Sequence, residues 1–155
     1  MFRVNYDIAD ANDALDEILE AIKAAVRPAA QAGAQVFYDE VRVRVPVSQS
    51  VRTVKGKTYQ PGALKGAIYQ VYSADNSTPD RATYHVSWNA RKAPHGHLVE
   101  YGHWTKSIGK YGPLQPHFVP AYPFVRPAYD AKKDEALQAA KAEMLARVAP
   151  AVEAA

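Results

Sequence analysis

Residues 94–129 limit what this chain can fold into more than any other stretch. They open PHGHLVEYGHW, pass through Gly109, Gly112, Pro113, Pro116 and Pro120, and close PFVRPAYDA. Proline fixes φ and removes a backbone donor, so no long helix or central strand runs through such a segment. The spacing predicts a short helix over 94–101, with Pro94 in its first turn and Gly102 just past its end. Pro127 opens a last helix. Between them, 103–120 reads as a long irregular loop, and a loop of that length in a small domain is usually functional or mobile. Its aromatics, histidines and prolines suit a surface that contacts other protein.

The rest of the chain supplies the scaffold. Residues 12–40 read as one long helix: Leu15, Ile18, Leu19, Ile22 and Val26 repeat at one-face spacing. Asn12 or Asp10 suits the cap, and Asp13, Asp16 and Glu17 suit the positive end of the dipole. Pro28 is expected to kink this helix rather than end it. Alternation of valine and arginine over 41–47 reads as a strand, with a helix tail toward Val45 as the alternative. Residues 48–61 read as a hairpin or flexible loop. Leu64 and Ile68 fit one helical turn, and 68–72 then alternates like a strand. In 82–89, Tyr84, Val86 and Trp88 share one face, and this run pairs antiparallel with 68–72. The last helix shows its apolar face at Ala136, Leu137, Ala140, Met144, Leu145 and Val148, and Pro150 is expected to end it. The predicted fold is α+β: a small, mainly antiparallel β-sheet packed by a long N-terminal helix and a C-terminal helix, in a single domain of 155 residues.

Composition narrows the chemistry. The absence of cysteine excludes disulfides, thiolate metal sites and cysteine nucleophiles. No segment approaches the roughly 18 apolar residues of a membrane span. The acidic, amphipathic start does not read as a secretion signal, so a cytoplasmic site of synthesis is expected. A net charge of +3 says little about partners, but its distribution says more. Arg42, Arg44, Arg52, Lys55, Lys57 and Lys65 follow one another with no acid between them.

Catalytic patterns are missing. No G-x-S-x-G elbow occurs, nor a phosphate-binding glycine loop. His95, His97 and His103, with His117 and Glu100 near, are enough for a zinc or nickel site by ligand type. On a helix, however, His95 and His97 point to different faces. Glu100 is better suited to a structural part, bonding backbone amides of the following loop or pairing with Arg126. The basic run at 42–65 can touch nucleic-acid phosphates, and a binding module of that kind is the first rival reading. A histidine-based metalloenzyme is the second.

Three motifs in order carry a resemblance. Residues 62–68 read GALKGAI, 98–104 read LVEYGHW and 123–128 read PFVRPA, with a helix at each end of the chain. This resembles the tail-completion or neck proteins of lambdoid long-tailed bacteriophages, often labelled minor tail components. The motif positions are Gly62, Leu64, Glu100, Tyr101, Gly102, Pro123, Phe124, Arg126 and Pro127. The departures are the basic stretch 48–60 and the long 103–120 loop. The resemblance implies a non-enzymatic virion protein without cofactor or metal, assembled in the bacterial cytoplasm into the neck. It implies a homo-oligomeric ring, expected to be a hexamer, between head-closure or connector proteins and tail-tube or terminator proteins, with DNA passing through its lumen. Arg42, Arg44, Arg52, Lys55, Lys57, His103, Trp104 and Tyr111 are the expected interface or DNA-facing residues.

Overall fold

A computed structural model describes residues 9–54, 56–105, 108–109, 112–113 and 116–154. The fold is α+β. Helix α1 (Ala9–Arg44) is followed by strands β1 (Arg52–Val54), β2 (Lys57–Tyr59), β3 (Ile68–Tyr72) and β4 (Tyr84–Trp88). Helix α2 (Gly96–Tyr101) precedes β5 (His103–Trp104), β6 (Ile108–Gly109), β7 (Gly112–Pro113) and β8 (Phe118–Val119), and α3 (Val125–Ala154) closes the chain. The strands pair two by two: β1 with β2, β3 with β4, β5 with β8, and β6 with β7.

Three local expectations change. The strand expected over 41–47 is helix as far as Arg44. A strand would put Val41, Val43 and Val45 on one face. Instead Val41 and Val45, one helical turn apart, are buried, while Val43 is 75% exposed. The Val45 amide donates to the Val41 carbonyl at 3.0 Å, and Pro46 stops the pattern there. Pro150, expected to end α3, lies inside it. Its missing donor removes one bond four residues from the helix end, and the alanines around it favour helix strongly. The loop expected over 103–120 contains two antiparallel strand pairs, with Trp104 opposite Phe118 and Gly109 opposite Gly112. The alternative of a hairpin at 48–61 holds: Thr53 faces Thr58 across β1 and β2. Pro28 lies within a continuous α1.

The chain folds as two compact units. The first takes in the described residues of Met1–Val36, Val71–His85 and Asp134–Ala155. Its interior is built from small residues: Ala25, Ala29, Ala34 and Ala136 are buried. Helices α1 and α3 approach closely, since a Cβ on Gly33 would stand 3.0 Å from the Ala136 carbonyl oxygen. The Arg27 guanidinium lies 4.3 Å over the Tyr72 ring, and Tyr72 meets Tyr84 edge-on. The Ser77 hydroxyl donates to the Ser73 carbonyl and accepts from the Thr83 amide, closing the turn between β3 and β4. The apolar stripe of the sequence is not buried here. Leu15, Leu19 and Ile22 are 58%, 49% and 39% exposed. On α3 only Ala136 of the expected face is buried, while Leu137 and Leu145 stay exposed.

The second unit comprises Phe37–Gln70 and Val86–Lys133. Its core joins Val41, Val45, Leu64, Ala67, Ile68, Ala93, Phe124 and Ala128. The Ala67 carbonyl accepts from the Asn89 amide at 2.8 Å. Phe124 is fully buried, and the Trp88 ring packs on it at 5.9 Å with planes 63° apart. Gly96 opens α2 against that same indole: a Cβ there would meet Trp88 Nε1 and stand 2.6 Å from Cδ1. The indole is half-buried and rests on Phe124, so making room for a methyl group disturbs that contact. Gly96→Ala is therefore expected to destabilise the protein by about 2 kcal/mol, the usual range for overpacking. Urea unfolding followed by tryptophan fluorescence measures it.

Candidate functional site

The LVEYG and PFVRPA motifs meet in the second unit. Glu100, the penultimate residue of α2, has a side chain only 2% exposed. Its Oε2 accepts from the Phe124 amide at 2.7 Å and the Val125 amide at 3.1 Å, while Oε1 accepts from the Arg126 amide at 3.3 Å. These amides belong to the start of α3, where helix donors lack intrahelical partners and the dipole favours negative charge. A carboxylate from another helix thus does the work of a cap. From sequence, Glu100 is expected to bond amides of the loop that follows it or to pair with Arg126; the amides it bonds are instead those at the start of α3, and the pairing with Arg126 is present but weaker. The Arg126 guanidinium lies 3.7 Å from Oε1 and is two-thirds exposed, so the amides are the main partners and the cation a weak one. Arg126 also stands 5.1 Å over the exposed Tyr101 ring.

Gly102 ends α2 with φ 72° and ψ 172°. Its φ is positive, but the residue sits in the extended glycine region rather than the left-handed helical one. From there the chain enters β5. The Tyr122 amide returns to the Val99 carbonyl at 2.7 Å, so the 103–120 segment leaves and rejoins the unit at neighbouring points. The β5–β8 pair carries Trp104 and Phe118 on one face, rings 5.5 Å apart and 67% and 48% exposed. Its other residues, His103 and Val119, line a groove of about 650 Å³. Pro46, Val47, Leu64 and Leu98 form other parts of that wall, which is mostly apolar. His103 Nδ1 is buried and has no hydrogen-bond partner among the described residues.

The remaining expected residues fall as follows. Gly62, with φ 79°, turns the chain into a core position at Leu64. Pro123 is exposed, and Pro127 lies in the first turn of α3. Arg42 and Arg44 are on α1, not on a strand. The Arg44 guanidinium pairs with Glu40 at 2.6 Å, and that of Arg42 donates to the Tyr38 hydroxyl. Arg52 and Lys57 lie on β1 and β2, opposite Tyr59 and Val54. Lys55 and Tyr111 lie outside the described residues. The histidines are spread among separate tasks. His95 is at the N-cap of α2 with its ring edge-on to Tyr59, His97 is exposed, and His117 Nδ1 bonds the Thr105 hydroxyl. Among the described residues no group of three or more His, Asp or Glu side chains is placed to hold a metal. None of the described helices is long and apolar enough to cross a membrane.

Sequence reasoning missed two parts of this site: the groove, and the glycine–indole contact at Gly96. The groove draws on four separated segments, and no local pattern joins them. A glycine at the start of an amphipathic helix was the available signal for the second.

Fold and site together define a small α+β protein whose buried charge is a carboxylate clamped on the start of its last helix. The family model of bacteriophage HK97 gp10-like proteins, described as candidate tail components, matches residues 9–102, and the chain belongs to that family. No curated protein and no solved structure matches it.

Proposed function

We propose that this chain is a structural protein of the virion neck that completes the tail and joins it to the head. In this reading the 155 residues act as one joining domain. Copies form a ring, six-fold to match the tail, seated between head-closure or connector proteins and tail-tube or terminator proteins. DNA passes through its centre, and basic residues of the 42–65 run meet the passing phosphates without reading sequence. The ring assembles in the bacterial cytoplasm and stays in the particle. It carries out no reaction.

The observation that supports this best is the Glu100 clamp. It binds the end of α2 to the start of α3, on either side of a ribbon that holds Trp104 and Phe118 in solvent. Aromatic side chains on a short, anchored ribbon are a contact surface: they bring large area at small entropic cost. Membership in a family of phage tail components agrees with this.

In vitro complementation tests the proposal. An infected-cell extract lacking this protein is expected to gain infectious particles by orders of magnitude when the purified chain is added. An extract whose titre does not respond, while a control extract made with the protein is fully infectious, contradicts it.

A further inference from the structure

The two faces of the β5–β8 ribbon differ in kind. Successive residues of a strand point to opposite sides. On one side His103 and Val119 line the groove of about 650 Å³. On the other, Trp104 pairs with Phe118 as two rings 5.5 Å apart, 67% and 48% exposed. Among the described residues that line the groove none is an Asp, Glu, Lys or Arg. Val47 and Tyr122 belong to that lining and are 50% and 64% exposed, so the groove opens through apolar surface that a single chain leaves uncovered. An uncharged aromatic pair and an uncharged apolar groove thus stand back to back in the same unit.

We infer that Trp104 and Phe118 of one copy dock in the Val47–Leu98–Tyr122 groove of the next. The inference rests on the ring reading above and names the two surfaces that make its contact. A charged occupant would give up its water here and meet no counter-ion on the described lining. The aromatic pair gives up none, and its one donor is the indole N–H. Ser48, Ser50 and Gln60 on the lining carry oxygens that can accept it. The groove volume is that of a site for a group of this size, and aromatic anchors seated in pockets carry most of the energy of such contacts. Trp104 and Phe118 do not line the groove of their own chain, because they project from the far side of the strands that wall it. A head-to-tail contact needs two different, complementary patches on each subunit. The two faces of one ribbon supply both, so each docked copy offers a free aromatic pair to the next. The contact contains no ion pair and is expected to survive salt that screens charges.

Two variants each keep one half of the contact. Trp104→Ser removes the anchor and keeps the groove. Val47→Asp sets an unpaired carboxylate in the groove and keeps the anchor. Both positions are half exposed or more, so both chains are expected to fold. A cooperative thermal transition close to the parent's qualifies each; if Val47→Asp lacks one, Tyr122→Asp in the same groove replaces it. Analytical ultracentrifugation at up to ~1 mM chain reaches contacts of millimolar strength. The parent is expected to associate beyond two copies, and each variant alone to stay monomeric. Their equimolar mixture is expected to form one-to-one pairs and stop there, roughly thirty-fold or more tighter than either variant pairs with itself, the affinity that one aromatic anchor carries. A mixture no more associated than its separate components overturns the inference and leaves the groove to another protein or a small molecule. A parent that stops at two copies overturns it too, since that signals reciprocal exchange. So does a Trp104→Ser chain that associates like the parent. The pairing does not depend on the virion. A monomeric mixture beside a successful complementation removes this contact and leaves the neck assignment. Pairing beside a failed complementation does the reverse.

Discussion

Glu100→Ala is expected to lower the free energy of unfolding by about 4 kcal/mol. Each buried donor that loses its partner costs roughly 1–3 kcal/mol, and bonds to a charged acceptor lie toward the upper end. Three amides depend on this carboxylate. The Phe124 bond is buried, and those of Val125 and Arg126 are half-buried. Alanine also leaves a void beside fully buried Phe124. For a chain of this size the change corresponds to a melting temperature lower by ~10 °C. Glu100→Gln keeps a carbonyl acceptor but no charge, so its loss is expected to be about half as large. Arg126→Ala discriminates between the two partners. Its guanidinium is mostly solvated at 3.7 Å, so the loss should stay below about 1 kcal/mol. Denaturant unfolding of the three variants ranks them. An Arg126→Ala effect equal to that of Glu100→Ala contradicts a clamp made chiefly of backbone amides.

Gly102→Ala is expected to remove about 3 kcal/mol or more, from two additive causes. Its φ of 72° and ψ of 172° fall where side chains are strained by roughly 1–3 kcal/mol. A Cβ would also stand 2.8 Å from the Ala121 nitrogen, the Val119 carbonyl oxygen and Phe118 Cζ. Two of these are backbone atoms, one in β8 and one just after it, and cannot swing aside. The damage therefore reaches the β5–β8 pair and the ribbon it carries, beyond the helix end. Thermal unfolding measures the total. Hydrogen exchange at the Thr105 amide, bonded to the His117 carbonyl at 2.9 Å, shows whether the ribbon loosens. A stability within about 0.5 kcal/mol of the parent contradicts the account of Gly102, since that is what an ordinary surface substitution gives.

The parts legible in sequence are those governed by local chemistry. Gly102 and Pro127 mark helix limits where expected, whereas Pro94, expected in the first turn of α2, precedes its His95 N-cap; alternating Tyr84, Val86 and Trp88 mark β4. Glu100 is legible as structural because no carboxylate partner for paired acid–base work stands near it in sequence. Its amide partners lie 24 to 26 residues on, and only the fold tells them apart from Arg126. The 41–47 segment misleads because Val–Arg alternation fits a strand, while the pair Val41 and Val45 fits a helix equally well. Burial of those two, and not of Val43, decides between them. The Leu15–Leu19–Ile22 stripe is amphipathic as its spacing predicts, but periodicity says which side is apolar and not what covers it. The ribbon within 103–120 is illegible because its pairs are two residues long, too short for any alternation to register.

The head–tail joining role is the central claim, and electron microscopy of a lysate lacking this protein tests it most directly. The account predicts DNA-filled heads and separate tails in ordinary numbers, with few joined particles, and joining restored when the chain is supplied in trans. Intact, infectious particles at normal yield in its absence would contradict it.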